Sequence, residues 1–214
     1  MGVGEKPRLL DLFCGAGGCT RGYQEAGFYV VGVDVKSQPN YCGDEFIQGG
    51  AIEALEALLA RGLNACMTSG GFLGAGYWML ADFDAIHASP PCQAYTSMRH
   101  FGKGAGEGAP ELIDPTRDLL AATGLPYVIE NVVGAPLLNA IRLCGSSFGL
   151  NVWRHRLFET NWHVLAPPEC RHDYCREPLA VYGDHPQKPG EKGTYQVRRA
   201  RSLTEGQQAM GIDW

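Results

Sequence analysis

Two short segments carry side chains that could do covalent chemistry. Ser89-Pro90-Pro91-Cys92-Gln93 sets a thiol behind two prolines at the end of an apolar run, Phe83 to Ala88. Proline fixes its own φ and lacks a backbone donor. It also pushes the preceding residue toward extended conformations. Two in a row make a stiff turn that aims the Cys92 side chain in one direction. Such a thiol suits nucleophilic attack, and a buried structural cysteine is the plainer reading; surroundings decide between them. Glu130-Asn131-Val132, at the end of another apolar run, adds a carboxylate suited to acid or base work.

A third segment suits a ligand. Arg8 to Phe13 is apolar and runs into Cys14-Gly15-Ala16-Gly17-Gly18. Glycines between a strand and a helix let backbone approach a bound group closely. The full dinucleotide fingerprint is absent, and a glycine turn can merely pack helix on strand. Asp34, ending the run Tyr29 to Val33, stands where such sheets receive ribose hydroxyls. A nucleoside-bearing cofactor is expected.

The elements needed to position these groups are legible in outline. Strand, glycine turn, helix to about Ala26 and strand open a βαβ unit. Ala51 to Arg61 reads as a helix, Phe83 to Ala88 as a strand, Pro110 to Thr123 as a helix and Pro126 to Glu130 as a strand. Pro136 to Cys144 reads as a helix, Arg156 to Thr160 as a strand and Thr204 to Met210 as a short helix. Gly62 to Gly76 is a loose glycine-rich insertion, and residues 94–110 have the composition of a mobile loop. Alternating strands and helices imply an α/β fold with a doubly wound, mostly parallel sheet. The carboxyl ends of its strands share one edge, which would gather Phe13, Asp34, Cys92 and Glu130 at one crevice.

Composition sets the frame. The 214 residues are 45% hydrophobic and 19% charged, enough for a domain with a core. No run approaches the roughly 18 apolar residues of a membrane span. The N-terminal residues lack the pattern of an export signal. The eight cysteines are scattered, so reduced thiols and a cytoplasmic location are expected. The net charge of −5 argues mildly against nucleic acid, although Arg154 and Arg156 flank His155, and Arg198, Arg199 and Arg201 cluster. A monomer is expected, and no metal. Cys170-x-His172-x2-Cys175, with His163 or His185, could ligate zinc, but the spacing is not a paired Cys-x2-Cys knuckle and a loop with incidental thiols is the simpler reading.

Asp11-Leu12-Phe13-Cys14-Gly15-Ala16-Gly17-Gly18, Ser89-Pro90-Pro91-Cys92-Gln93, Glu130-Asn131-Val132 and Arg154-His155-Arg156 occur in this order. Together they resemble the successive motifs of the DNA (cytosine-5) methyltransferases, in the compact form found in bacteriophages and bacteria. Arg201-Ser202-Leu203-Thr204 is similar to a late motif of that family. The resemblance implies a Rossmann-like, S-adenosylmethionine-dependent methyltransferase fold with a small irregular recognition segment. The catalytic domain would span 1–165, the recognition segment 166–200 and a C-terminal return 201–214.

The resemblance also implies roles. Phe13 would stack on the adenine of S-adenosylmethionine; Asp11, Gly15, Gly17, Gly18 and Pro91 would border the cofactor, and Asp34 would hold its ribose. Cys92 would attack C6 of a cytosine flipped out of double-stranded DNA, and Glu130 would hold N3 and N4. Arg154 and Arg156 would orient the base and its phosphates. The 94–110 loop would close as a lid. A bacterial or phage-infected cytoplasm would be the setting, with any restriction partner unidentified.

The chain departs from the family in four places. Gly50 stands where an aspartate near the adenine amino group is usual, and Val152-Trp153 replace Gln-Arg before the Arg-x-Arg. The recognition segment is short. The family also continues past the last helix, where this chain ends at Trp214. An RNA cytosine-5 methyltransferase and a cofactor- or DNA-binding module without turnover are the alternatives.

Overall fold

The computed structural model describes residues 5–60, 78–95, 108–165, 168–172, 178–180, 198–199 and 202–209. The 62–76 insertion, most of the 94–110 loop, Cys175, His185, Arg201 and Trp214 lie outside them.

The chain divides into two compact units. The first comprises Met1–Ala140 with Leu157–Val164, and the second Ile141–Arg156 with Leu165–Trp214. In the first, β1 (Arg8–Leu12), β2 (Tyr29–Asp34), β3 (Glu45–Gln48), β4 (Ala85–Ala88) and β5 (Tyr127–Asn131) alternate with α1 (Gly18–Glu25), α2 (Ala51–Ala60) and α3 (Ile113–Thr123). β6 (Ile141–Cys144) belongs to the second unit; β7 (His155–Thr160) begins there and continues in the first from Leu157. The second unit also holds the two-residue strands β8 (Leu179–Ala180) and β9 (Arg198–Arg199), paired in parallel, and α4 (Leu203–Ala209).

The strand order is β3-β2-β1-β4-β5-β7-β6. Pairings β1–β2, β1–β4, β2–β3 and β4–β5 are parallel, and β5–β7 is antiparallel. This is the mixed, mostly parallel α/β sheet expected from the sequence. Four successive residues of β1 (Leu9–Leu12) and four of β2 (Val30–Val33) are buried, as strands covered on both faces must be. Ala54, Leu55 and Leu58 of α2 and Leu120 of α3 complete a core with Leu10, Val31, Ile86 and Ile129. The α3 helix ends at Gly124, whose φ of 70° supplies its left-handed C-cap.

Two elements differ from the sequence reading. Glu45–Gln48, to which the sequence reading assigned no element, is a strand that pairs with β2 from Val31 to Asp34. Pro136 to Cys144 is not a helix; it is a turn followed by β6. The buried Glu159 carboxylate accepts the Leu138 N–H at 2.7 Å and so fixes the start of this turn. The same carboxylate takes a bidentate pair from Arg117 of α3 at 2.7 and 2.9 Å. Arg117 also donates to the Pro136 carbonyl at 2.8 Å. Asn139 then turns the chain at φ 47°. A long-range ion pair thus overrides local helical propensity.

Candidate active site

Five apolar residues form one transverse row: Ile47, Val33, Leu12, Ala88 and Ile129 are register partners on adjacent parallel strands. All five are at most 5% exposed. The next residue on four of these strands is Asp34, Phe13, Ser89 or Glu130. The register therefore brings the glycine turn, the ribose-type acid, the start of the proline turn and the Glu-Asn-Val segment to one sheet edge, all within the first unit.

The glycine turn is built for close approach. Phe13 has φ 59°, a left-handed conformation that costs a non-glycine residue on the order of 1–3 kcal/mol. Half-buried, Phe13 packs against the core. Gly17, φ 97°, precedes α1, and a β-carbon there would lie 2.7 Å from Cys42 Sγ. A β-carbon at Gly15 or Gly18 would meet open space within 4 Å, so backbone there can lie directly against a ligand. Asp34 accepts the Gly15 N–H through Oδ2 at 3.0 Å and the Lys36 N–H through Oδ1 at 2.8 Å. Each carboxylate oxygen keeps a lone pair for a hydroxyl.

Asp11 sits beneath this turn at 1% exposure. Thr20 donates its hydroxyl to Oδ2 at 2.5 Å, while Oδ1 has no hydrogen-bond partner. Burial pushes this carboxyl up from its usual 3.8 to about 7, helped by the nearby Asp34 charge and opposed by the Thr20 hydrogen bond. Below the glycine turn there is thus a buried, under-satisfied carboxylate suited to a cationic ligand. Burial also pushes the Cys14 thiol up, which keeps it protonated and poorly nucleophilic.

A consequence for stability follows. The neutral form of Asp11 favours the fold, so stability falls as pH rises from 3.8 through about 7. His87 acts in the opposite sense. Burial lowers it from 6.5 to about 4, so stability is lost as pH falls from 6.5 toward 4. Asp11→Asn is expected to raise stability at pH 8 by about 1–3 kcal/mol, since it removes a buried charge but leaves an amide to satisfy. Thermal melts of both proteins from pH 5 to 9 check this: relative to the variant, the wild type should lose melting temperature from pH 5 to about 7 and then level off. Parallel curves would refute the assignment.

The thiol-bearing turn is tied down from three directions. Ser89 N–H donates to the Leu12 carbonyl at 3.1 Å, and Tyr95 N–H donates to the Cys92 carbonyl at 3.0 Å. Asn131 Nδ2 donates to the Pro90 carbonyl at 2.8 Å, while its Oδ1 accepts the Val132 N–H at 2.9 Å. The buried Asn131 therefore joins the Glu130 segment to the proline turn. Cys92 is a free, half-buried thiol, and Glu130 is also half-buried. His87, 1% exposed, lies between Tyr23 Oη (3.0 Å from Nδ1) and Ser89 Oγ (2.9 Å from Nε2). Held neutral by burial, it links α1 to the residue that opens the turn.

The structure thus brings Asp11, Phe13, Gly15, Gly17, Gly18, Asp34, Pro91, Cys92 and Glu130 into the first unit. Arg154 and Arg156 fall in the second unit, both half-buried. Trp153, beside them, stacks on His172 with ring centroids 4.5 Å apart and planes at 15°.

Three supporting residues were not singled out from the sequence. Thr20 and His87 carry no motif; His87 is marked only as a polar residue within an apolar run, and Thr20 by nothing beyond its place after the glycine turn. Glu53 is the third. A β-carbon at Gly50 would collide with the Glu53 carboxylate, so the space left by Gly50 is filled by an acid from the first turn of α2. A Glu three residues after Gly50, as in a capping pattern, was the available clue.

No family model matches the chain, and no curated protein matches it by sequence. Solved structures do. One is a DNA modification methyltransferase encoded within a prophage of E. coli, with TM-score 0.50 and 19% identity, covering 82% of this chain and 53% of that one. Another is the S. pombe Dnmt2 methyltransferase, with TM-score 0.45 and 16% identity, covering 76% and 52%. The S-adenosylmethionine-dependent methyltransferase of Agrobacterium tumefaciens gives TM-score 0.33 and 15% identity, covering 61% and 40%. The chain spans about half the length of the prophage protein. At this identity the likeness speaks for the fold: the chain shares the Rossmann-like α/β sheet of that methyltransferase structure.

Proposed function

We propose that this protein is a DNA (cytosine-5) methyltransferase that uses S-adenosylmethionine. The observation that carries the reading is the row of register partners whose next residues are Asp34, Phe13, Ser89 and Glu130. It supports a nucleoside site and a thiol–carboxylate pair on one edge.

S-adenosylmethionine, when bound, supplies a methyl group activated by a sulfonium. The residues fit it: Asp34 keeps lone pairs for the ribose, Gly15 and Gly18 leave room, and the Asp11 carboxylate has an unpartnered oxygen for a cationic ligand. Phe13 would stack on the adenine, with Gly17 and Pro91 at the border of the site. Glu53 would accept the adenine amino group in the place that Gly50 leaves. Glu53→Ala is expected to weaken S-adenosylmethionine binding about tenfold, the worth of about one such hydrogen bond. Calorimetry checks it against Glu56→Ala, an exposed residue of the same helix; a change within twofold for Glu53→Ala would remove Glu53 from the site.

Carbon-5 of cytosine is a weak nucleophile. Addition of the Cys92 thiolate to C6 forms an S–C6 bond and makes C5 enamine-like, while Glu130 holds N3 and N4 and favours the neutral adduct. C5 would then take the methyl group as its bond to the sulfonium sulfur breaks, leaving a neutral thioether. Loss of the C5 proton to a base expels the thiolate, breaks the S–C6 bond and restores the ring. One hard step becomes several easier ones. C6 is out of reach inside a duplex, so the base must be flipped out. Arg154 and Arg156 would hold base and phosphates.

The test uses duplex DNA containing 5-fluorocytosine, whose C5 cannot release a proton. A denaturation-resistant adduct that needs S-adenosylmethionine and vanishes in Cys92→Ala is expected. DNA binding with no adduct, under conditions that trap a control enzyme, would overturn the reading. RNA of the same sequence, run beside the DNA, reports the polymer.

A further inference from the structure

In the second unit, four residues far apart in sequence converge. Cys144 ends β6, His155 begins β7, and Cys170 and His172 lie in the 168–172 segment. Each offers one ligand atom, and all four atoms lie within 4.8 Å of one another. Cys144 Sγ is 3.3 Å from His172 Nε2, and Cys170 Sγ is 3.4 Å from His155 Nε2. A tetrahedral zinc with Zn–S of about 2.3 Å and Zn–N of about 2.05 Å would set these sulfur–nitrogen edges near 3.6 Å.

We infer that Cys144, His155, Cys170 and His172 form a structural zinc site. Two separate thiol–imidazole hydrogen bonds would explain the two short edges, but not why all four ligand atoms lie within 4.8 Å of one another. The surroundings are those of a ligand set. Ser146 donates its hydroxyl to Cys144 Sγ at 3.2 Å and itself accepts the Arg171 N–H at 3.0 Å. Trp153 stacks on His172 and sets its ring plane. Such outer contacts orient metal ligands. Two thiols release their protons to solvent as two Zn–S bonds form, leaving a neutral Cys2His2 centre. Four protein ligands leave no open position, which is the mark of a structural rather than a catalytic site.

Among the described residues of the second unit, the buried apolar ones are Cys144, Val152, Leu179 and Ala209, so one of the four ligands also belongs to the described core. Because His155 separates Arg154 from Arg156, the metal would also hold the backbone that carries both arginines. The assignment of no metal from the sequence, and the alternative set that included Cys175, gave no weight to Cys144 or His155.

The experiment is metal analysis of the full chain, expressed without tags that bind metal. About one zinc per chain is expected. Cobalt(II) exchanged into the site should give the visible bands and thiolate charge transfer of a tetrahedral centre. Cys144→Ser, Cys170→Ser and His155→Ala should each lose the metal, while Cys175→Ser and Cys19→Ser keep it. Should these variants fail to fold, the wild type still decides: chelation should expose Cys144 and Cys170 to alkylation, and zinc should protect them again. A folded wild type with no bound zinc, and no thiolate charge transfer on adding cobalt, would overturn the site. Loss of zinc in Cys175→Ser with retention in Cys144→Ser would overturn this ligand set. Either result stands apart from the reaction proposed above, which is read from the adduct.

Discussion

Replacing Cys92 by alanine is expected to lower methyl transfer by about 10⁴-fold or more, because removal of a covalent nucleophile leaves only binding and orientation to act. The fold should hardly notice. Cys92 is half-buried on a turn, and the ties that hold the turn are backbone and Asn131 contacts rather than thiol contacts. Its removal should change stability by less than about 1 kcal/mol. Binding of DNA and of S-adenosylmethionine should survive. The measurement is single-turnover transfer of labelled methyl groups, beside thermal melts and equilibrium binding. A variant that keeps a tenth of wild-type transfer would remove Cys92 from the mechanism. A variant that unfolds would show instead that the thiol is a packing element.

Glu130→Gln carries the second large effect. Glutamine keeps the size of the side chain and can still hydrogen-bond the base, but it cannot supply or take a proton at N3. General acid–base assistance of this kind is worth about 10²–10⁴-fold. The loss should fall on kcat, with KM for DNA nearly unchanged, since the interaction strengthens only as charge develops on the ring. Adduct formation with 5-fluorocytosine DNA should slow in proportion. A loss confined to KM would assign Glu130 to binding alone.

The positions of these two groups depend on Asn131. Its amide ties the end of β5 to the proline turn that follows β4, so Cys92 and Glu130 are held by one buried hydrogen bond. The two variants above act on chemistry. A change at Asn131 would act on their spacing, as expected of a group that touches neither reacting atom but holds the backbone of both segments.

Much of this was legible in the chain because it is local. A buried parallel strand reads as an unbroken apolar run, as β1 and β2 do. Glycines between strand and helix, paired prolines before a cysteine, and an acid ending the second strand each occupy a few adjacent residues. Once a parallel sheet is inferred, its strand ends must share an edge. The sequence by itself therefore determined the α/β class and the shared strand edge at which Phe13, Asp34, Ser89 and Glu130 stand.

Only the tertiary structure decided what rests on partners distant in sequence. Pro136 to Cys144 has helical composition, yet Glu159 takes the Leu138 N–H and Asn139 turns the chain. Glu53 fills the space at Gly50 through the winding of a helix turn. His87 joins α1 to the proline turn, although Tyr23 lies 64 positions before it. Cys144 and His155 meet Cys170 and His172 only because β6, β7 and the later segment converge. Periodicity reports which face of an element is apolar. It does not report which side chains from separate elements will meet, because that depends on register and turn geometry summed over the whole chain.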